Sequence, residues 1–174
     1  SFWITRYDGK RYPTEKYDEF VNTDKPLSKG DVDIAIKWKM GRKGKSKNYG
    51  KWDKSIENIK THLDYINRVK LRKEKVDLDV YLGKLKDFEI FRTRIVMRAF
   101  ICHLTRPLEW PIFDRFVWFA RNYIQIKETD KPKRPTKKKQ YKEYIDFFNK
   151  VAAGRKSISK RKRVDEALMA YGKF

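Results

Sequence analysis

Residues that form disulfides and metal sites are nearly missing from this chain. Cys102 is the single cysteine among 174 residues, so no disulfide framework and no cysteine-ligated zinc site can form within the chain. The two histidines, His62 and His103, are too few to build a metal site by themselves. Asp77 and Asp79 lie close together in the sequence, but they lack a third nearby ligand. The sequence therefore predicts no metal and no cofactor.

Long apolar runs and negative charge are also scarce. No stretch approaches the roughly 18 consecutive apolar residues that a membrane-spanning helix needs, and the first ten residues lack the apolar core of a signal peptide. Lys and Arg number 44 against 23 Asp and Glu, which gives a formal net charge of +21. Such a charge attracts polyanions, of which nucleic acid is the commonest. Because the aromatic fraction is 15%, the chain can still build a core, and we expect a soluble intracellular domain that binds nucleic acid and no membrane.

The spacing of apolar residues predicts an all-α fold in a single compact helical domain, since the alternation typical of strands is essentially absent. Residues 1–27 mix aromatic residues with turn formers and predict an irregular N-terminal arm, with a helical turn near 14–21. The rest of the chain, 28–174, predicts the helical domain. Ser28 or Asp31, Asp53 and Asp114 are the predicted N-caps, and Pro107 is predicted to end the fourth helix. The predicted helices span 28–40, 53–69, 77–86, 93–104 and 114–124, and two more are centred on 141–152 and 164–171.

Basic residues concentrate in three clusters, 37–51, 131–139 and 155–163. The second belongs to a basic loop over 127–139, which its prolines and charges predict to be mobile. One such cluster alone is compatible with a merely solvated surface, whereas three together favour contacts with a phosphate backbone. A fourth group of arginines lies beside a predicted turn at 87–92. The predicted DNA contacts are Lys39, Arg42, Lys43, Lys45, Lys47, Arg92, Arg94, Arg98, Lys137, Lys138 and Lys139.

The segment PLEWPIFDRFV, from Pro107 to Val117, places one carboxylate among aromatic residues. Asp is a favoured N-cap, so the simplest interpretation of Asp114 is that it only caps a helix. The position also suits chemistry, because the helix dipole and amide donors stabilise an anion at a helix N-terminus. Cleavage of an N-glycosidic bond builds positive charge on the deoxyribose, and a fixed anion beside the sugar stabilises that state. Both interpretations of Asp114 stay open at the level of sequence.

The string from Phe88 to Ala120 resembles the core of helix-hairpin-helix DNA glycosylases. It contains an arginine-rich turn, an apolar helix, a loop that ends in PIFD, and then RFVWFA. In that superfamily a hairpin grips the phosphodiester backbone, and a following helix and loop deliver an aspartate, commonly in a Pro-x-Asp-x-x-Val context. The segments DVDIAIKWKMGRKG and RKRVDEALMAYGKF also resemble parts of small helical members. The resemblance implies that Asp114 is the catalytic aspartate of a DNA glycosylase with a helix-hairpin-helix element.

Two departures from the family pattern concern the loop and the hairpin. The loop has one extra residue between Pro111 and Asp114. The hairpin usually contains two glycines that let backbone amides approach phosphate, whereas residues 87–94, DFEIFRTR, contain none. The hairpin is therefore degenerate, and the side chains of Arg92 and Arg94 are the alternative means of gripping the backbone.

The chemistry that the resemblance implies is monofunctional. Bifunctional glycosylases form a Schiff base with a lysine on the helix of the hairpin, and no lysine occurs between Lys86 and Lys127. Water would then be the nucleophile, and the product would be an abasic site. A flipped base is normally held between aromatic or apolar side chains, although most aromatic residues at helical spacing belong to the core. The predicted base-pocket residues are Trp38, Trp110, Phe113 and His103.

The extreme basicity resembles that of prokaryotic glycosylases that act on bulky modified bases of phage DNA. We therefore expect a cytoplasmic, prokaryotic monomer that binds duplex DNA with a modified base, in antiviral defence or base excision. Alkylated or deaminated bases remain alternative substrates. A non-enzymatic nucleic-acid-binding module, in which Asp114 is only a cap, is the main alternative function, and a basic protein–protein adaptor is a more distant one.

Overall fold

The structure of the chain is a computed structural model that describes residues 17–18, 20–21, 25–39, 57, 59–72, 76–87, 95–127 and 132–173. Within these ranges the regular secondary structure is entirely helical and no strand occurs. The predicted all-α fold is therefore confirmed. No helix in the described ranges has the length and apolar character needed to cross a bilayer.

Contacts between Cα atoms divide the chain into two compact units. The N-terminal unit consists of residues 8–92 and 104–106, and the C-terminal unit consists of residues 1–7, 93–103 and 107–174. The boundary between an N-terminal arm (1–27) and a helical domain (28–174) stays a prediction.

The N-terminal unit contains the helices α1 (Lys29–Lys39), α2 (Leu63–Lys70) and α3 (Leu78–Asp87). Both predicted caps act together at the start of α1, where the amide of Asp31 donates to Ser28 Oγ (3.1 Å) and the amide of Ser28 donates to Asp31 Oδ2 (2.7 Å). The predicted start of the second helix, at Asp53, lies outside the described residues. The helix over 77–86 is confirmed within one residue at each end.

The core of the N-terminal unit includes a cluster of three aromatic side chains. Tyr17, Phe20 and Trp38 pack with ring centroids 5.3 to 5.6 Å apart. Residues 17, 18 and 20 are helical, in agreement with the helical turn predicted near 14–21. Asn67 fixes the chain before α1, because its Oδ1 accepts from the amide of Leu27 (2.7 Å) and its Nδ2 donates to the carbonyl of Leu27 (3.0 Å). Tyr17 and Phe20 are thus part of this core.

The described part of the C-terminal unit contains four α-helices and a π-helix. They are α4 (Ile95–Thr105, whose last two residues belong to the N-terminal unit), α5 (Arg115–Arg121), the π-helix (Asn122–Ile126), α6 (Lys138–Val151) and α7 (Ile158–Tyr171). α4 ends just before Pro107, as predicted, because the residue before a proline disfavours the helical conformation. α5 packs mainly against α7 and also contacts α6. The helix predicted over 114–124 thus continues as a π-helix and ends at Lys127, which has a left-handed φ of 56°.

The start of α6 corrects the predicted extent of the basic loop over 127–139. Lys138 and Lys139 lie in the first turn of α6, so the described part of the loop ends at Lys137. Gln140 explains the early start, because its Oε1 accepts from the amides of Thr136 and Lys137, both at 2.9 Å. These hydrogen bonds of Gln140 cap the start of α6, and the spacing of apolar residues does not reveal them.

α7 also begins earlier than the residues 164–171 from which it was predicted. The helix begins at Ile158, where Ser157 is the N-cap and its Oγ accepts from the amide of Lys160 at 3.3 Å. Most of the third basic cluster, 155–163, is consequently helical. The apolar residues from Val164 onward mark only the part of α7 that packs on its neighbours.

Gly172, at the end of α7, lies against the backbone of α5. A Cβ atom at this position would overlap the carbonyl oxygen of Phe116 and would lie 3.0 Å from the amide nitrogen of Ala120. Glycine is therefore required for this approach, and it brings the end of α7 against the first turns of α5.

Candidate active site around Asp114

Asp114 is the N-cap of α5, as predicted. Its backbone is extended, with φ −153° and ψ −174°, and its Oδ1 accepts from the amides of Phe116 (2.8 Å) and Val117 (3.2 Å). The side chain is half-buried. The cap fixes the carboxylate at the positive end of the helix dipole. The catalytic role of Asp114 stays a prediction.

Two buried side chains bind consecutive carbonyl groups in the loop before Asp114. Tyr141 on α6 donates its hydroxyl to the carbonyl of Pro111 at 3.1 Å. His103 on α4 has its Nδ1 2.8 Å from the carbonyl oxygen of Trp110. Because a carbonyl oxygen can only accept, Nδ1 carries the hydrogen in this contact. The loop is therefore held from two helices by side-chain hydrogen bonds.

An aromatic cluster lies directly behind Asp114. Phe113 is fully buried, and its ring centroid lies 5.1 Å from that of Tyr141 and 5.4 Å from that of Tyr144. Trp118 meets the edge of the same ring at 6.2 Å. The residue that precedes the carboxylate is thus immobilised in the core of the C-terminal unit.

Burial raises the pKa of the Tyr144 phenol well above its ordinary value, and the negative charges of Asp165 and Asp114 raise it further. Within the described part of the chain, the Tyr144 hydroxyl has no hydrogen-bond partner. Asp165 is a buried residue of α7. It was not among the predicted site residues, and its only sequence signal is a pair of acids within the basic string RKRVDE.

Two exposed cations that were not among the predicted site residues lie beside the first turn of α5. The guanidinium of Arg115 lies 4.5 Å from the ring centroid of Phe116, and Lys173 Nζ lies 5.6 Å from the same centroid. Both cationic residues are exposed. Arg115, next to Asp114 in the chain, had a signal in the string PIFDR, whereas Lys173 becomes a neighbour only through the packing of α7 on α5. This pair of cations is named the basic rim.

The predicted DNA contacts differ in exposure. Lys137, Lys138 and Lys139 are exposed at the start of α6, which brings them together on one helical turn. Lys39 is half-buried at the end of α1. Arg98 on α4 is buried, and desolvation lowers its pKa. The hairpin turn predicted after Asp87 lies outside the described residues. So do the remaining predicted DNA contacts, which are Arg42, Lys43, Lys45, Lys47, Arg92 and Arg94.

The predicted base-pocket residues are all buried. Trp38 belongs to the N-terminal unit and is part of its aromatic cluster. Trp110, Phe113 and His103 belong to the C-terminal unit, where His103 and Trp110 are joined by the hydrogen bond described above. Each has a structural role in the core or loop, and their contact with a base stays a prediction.

Asp77, just before the start of α3, has a structural role. Asp77 Oδ1 accepts from the amide of Val80 at 2.8 Å, which is the contact of a helix cap. Among the described His, Cys, Asp and Glu side chains, no group of three or more is arranged to hold a metal ion.

The loop and helix around Asp114 can also be compared with known proteins. Comparison with protein-family models, with curated proteins and with solved structures finds no match for this chain. The resemblance to helix-hairpin-helix glycosylases accordingly stays a prediction from the residues between Phe88 and Ala120, and a function for Asp114 depends on its own geometry.

Proposed function

We propose that this protein is a monofunctional DNA glycosylase in which Asp114 is the catalytic carboxylate. The position of Asp114 carries the proposal: two backbone amides of α5 hold one oxygen, the preceding residue is locked in the core, and the side chain is half-buried rather than enclosed. An anion that is fixed before the reaction needs no reorganisation when positive charge develops beside it.

The proposed reaction breaks the bond between C1′ of the deoxyribose and a nitrogen of the base. The base departs with the bonding electrons, and Asp114 stabilises the positive charge left on the sugar. A water molecule then adds its oxygen to C1′, and the proton that it releases balances the charge on the departed base. The products are the free base and an abasic site, with both DNA strands intact.

Charge supports DNA as the substrate. The chain carries a net charge of +21, and Lys137, Lys138 and Lys139 are exposed together at the start of α6. The basic rim of Arg115 and Lys173 lies beside the first turn of α5, where a phosphate next to the reacting nucleotide would meet positive charge. Such contacts supply affinity without sequence information, so the specificity of the enzyme would come from the base.

The second candidate function is non-enzymatic nucleic-acid binding. One observation favours it: the two amide hydrogen bonds of Asp114 fully satisfy the requirement for an N-cap, so the residue needs no further role. The exposed lysines would serve this function equally well.

The two functions differ in their products on modified DNA. The experiment incubates the protein with duplexes that each contain one alkylated, deaminated or bulky modified base, and with an unmodified duplex, followed by alkali. The glycosylase is expected to give strand breaks after alkali on at least one modified duplex and none on the unmodified duplex. Intact strands on every duplex, together with tight binding to all of them, would establish the binding module instead.

One variant can separate the salt dependence of DNA affinity from the rate of base release. Replacement of Lys137, Lys138 and Lys139 by alanine should flatten the plot of log affinity against log salt concentration by up to about 0.9 per lost phosphate contact. Because these exposed lysines would bind phosphate and not the reacting sugar, we expect little change in the single-turnover rate of base release at saturating protein.

A further inference from the structure

We propose that Tyr141 and His103 are positioning residues, which set the location of the Asp114 carboxylate by binding the carbonyl groups of Pro111 and Trp110. The Tyr141 hydroxyl lies 3.1 Å from the Pro111 oxygen, and His103 Nδ1 lies 2.8 Å from the Trp110 oxygen. These two hydrogen bonds are named the loop clasp. The inference rests on the proposed function only for its kinetic consequence, because the geometric consequence is measurable in the protein alone.

The loop that the clasp binds is poor in backbone donors of its own. Pro107 and Pro111 have no N–H group, so the segment between α4 and α5 has fewer donors than an ordinary loop. Trp110 and Pro111 are buried, and a buried carbonyl without a partner is costly. Tyr141 and His103 each supply a hydrogen bond to one of these two buried carbonyls.

A displacement at Pro111 would reach Asp114 through rigid parts. The proline ring fixes the backbone φ at Pro111, and Phe113 is fully buried against Tyr141 and Tyr144. The loop is thus held at Pro111 and again at Phe113, and Asp114 directly follows Phe113. Because a displacement of about 1 Å at a catalytic group can slow a reaction about a hundredfold, the clasp bears directly on catalysis.

Tyr144 provides a matched control for Tyr141. Both tyrosines lie on α6, both are fully buried, and both pack their rings on Phe113. Only Tyr141 donates its hydroxyl to the loop, whereas the Tyr144 hydroxyl has no hydrogen-bond partner in the described ranges. Tyr141→Phe and Tyr144→Phe therefore delete the same atom from similar surroundings, and only the first breaks the clasp.

The first test measures amide hydrogen exchange in the free protein. The amides of Phe116 and Val117 donate to Asp114 Oδ1, so their exchange reports whether the carboxylate keeps its place. We expect Tyr141→Phe to accelerate their exchange at least about fivefold and Tyr144→Phe to leave it unchanged. Equal acceleration in both variants, or none in either, would overturn the inference, since the effect would then be general loosening or nothing.

A second pair of variants covers the case in which Tyr141→Phe does not fold. Asn can place an amide nitrogen near the position of Nδ1 of His, whereas Leu offers no donor. We expect His103→Leu to accelerate exchange of the same two amides and His103→Asn to restore most of the protection. Failure of Asn to restore any protection would overturn the inference.

The second test uses a DNA substrate on which the wild-type protein releases a base. Tyr141→Phe should reduce the single-turnover rate about tenfold or more while DNA affinity stays within about twofold, and Tyr144→Phe should change neither. An unchanged rate in Tyr141→Phe would contradict the positioning role. If the wild-type protein releases no base from any duplex, the proposed function fails, and the exchange measurements decide the positioning role by themselves.

Discussion

The packing of α5 against α7 can be tested at Gly172. Substitution by alanine adds a methyl group that would overlap the carbonyl oxygen of Phe116 and lie 2.8 Å from its carbonyl carbon and 3.0 Å from the Ala120 nitrogen. All three are backbone atoms of α5, so no side chain can rotate away. The two helices must separate, or the end of α7 must unwind.

The expected cost follows from this geometry. Gly172 has φ −75° and ψ −2°, a conformation that alanine adopts without strain, so the whole penalty is steric. Overpacking of this kind costs about 1–3 kcal/mol. The lower conformational entropy of alanine in the unfolded chain offsets at most about 1 kcal/mol of that penalty. Because the overlapped atoms belong to the backbone, the penalty lies at the upper end of this range, about 3 kcal/mol, and we expect Gly172→Ala to lower the free energy of unfolding by about 2 kcal/mol or more.

Gly83→Ala is the matched control in urea unfolding followed by circular dichroism. Gly83 lies within α3, and nothing lies within 4 Å of a Cβ added there. The control should be neutral or more stable by up to about 1 kcal/mol, because alanine is the better helix former. Equal stability of Gly172→Ala and the wild-type protein would refute the close approach of α7 to α5.

Three further predictions concern charge and product chemistry. Burial raises the pKa of Tyr141 and of Tyr144, so the stability that their neutral phenols contribute is complete below the unfolded pKa of about 10 and is lost as the pH rises above it. In urea titrations between about pH 10 and 11 the free energy of unfolding should therefore fall less steeply with pH in Tyr144→Phe than in the wild-type protein, and an equal slope in both would contradict the burial of this phenol. Lys162 and Glu166 form a buried ion pair of 2.9 Å. Glu166→Gln should therefore lower the free energy of unfolding by about 3–5 kcal/mol, and a Lys162→Met, Glu166→Met double variant should recover much of that loss. Equally unstable single and double variants would argue against the pair. Borohydride should trap no covalent adduct with DNA, since no lysine lies between Lys86 and Lys127, and efficient trapping would identify a lysine nucleophile elsewhere.

Local signals were sufficient for much of the fold. Apolar spacing located α4, Pro107 located its end, and an aspartate after an X-Pro loop located the start of α5. These features depend on residues near one another in the sequence, which is why periodicity and capping rules predict them. The starts of α6 and α7 were missed because Gln140 and Ser157 set them through polar contacts upstream of the apolar residues.

The candidate site was less accessible from sequence because its parts come from distant segments. Tyr141 was recognised only as an apolar position of a helix, and its hydrogen bond to Pro111 spans 30 residues. Asp165 becomes a neighbour of Tyr144 only when α6 and α7 fold together. No local propensity encodes such contacts, because they depend on how helices pack. The glycine-free hairpin turn lies outside the described residues and stays a prediction.

The catalytic role proposed for Asp114 is tested by the single-turnover rate of base release by Asp114→Asn. The substrate is a duplex from which the wild-type protein releases a base. Asn retains an oxygen that accepts from the amides of Phe116 and Val117, so the cap and the fold should persist while the charge is lost. We expect unchanged or tighter DNA binding and a rate that falls at least about a hundredfold. Base release by Asp114→Asn at the wild-type rate would contradict it and would leave Asp114 as a helix cap alone.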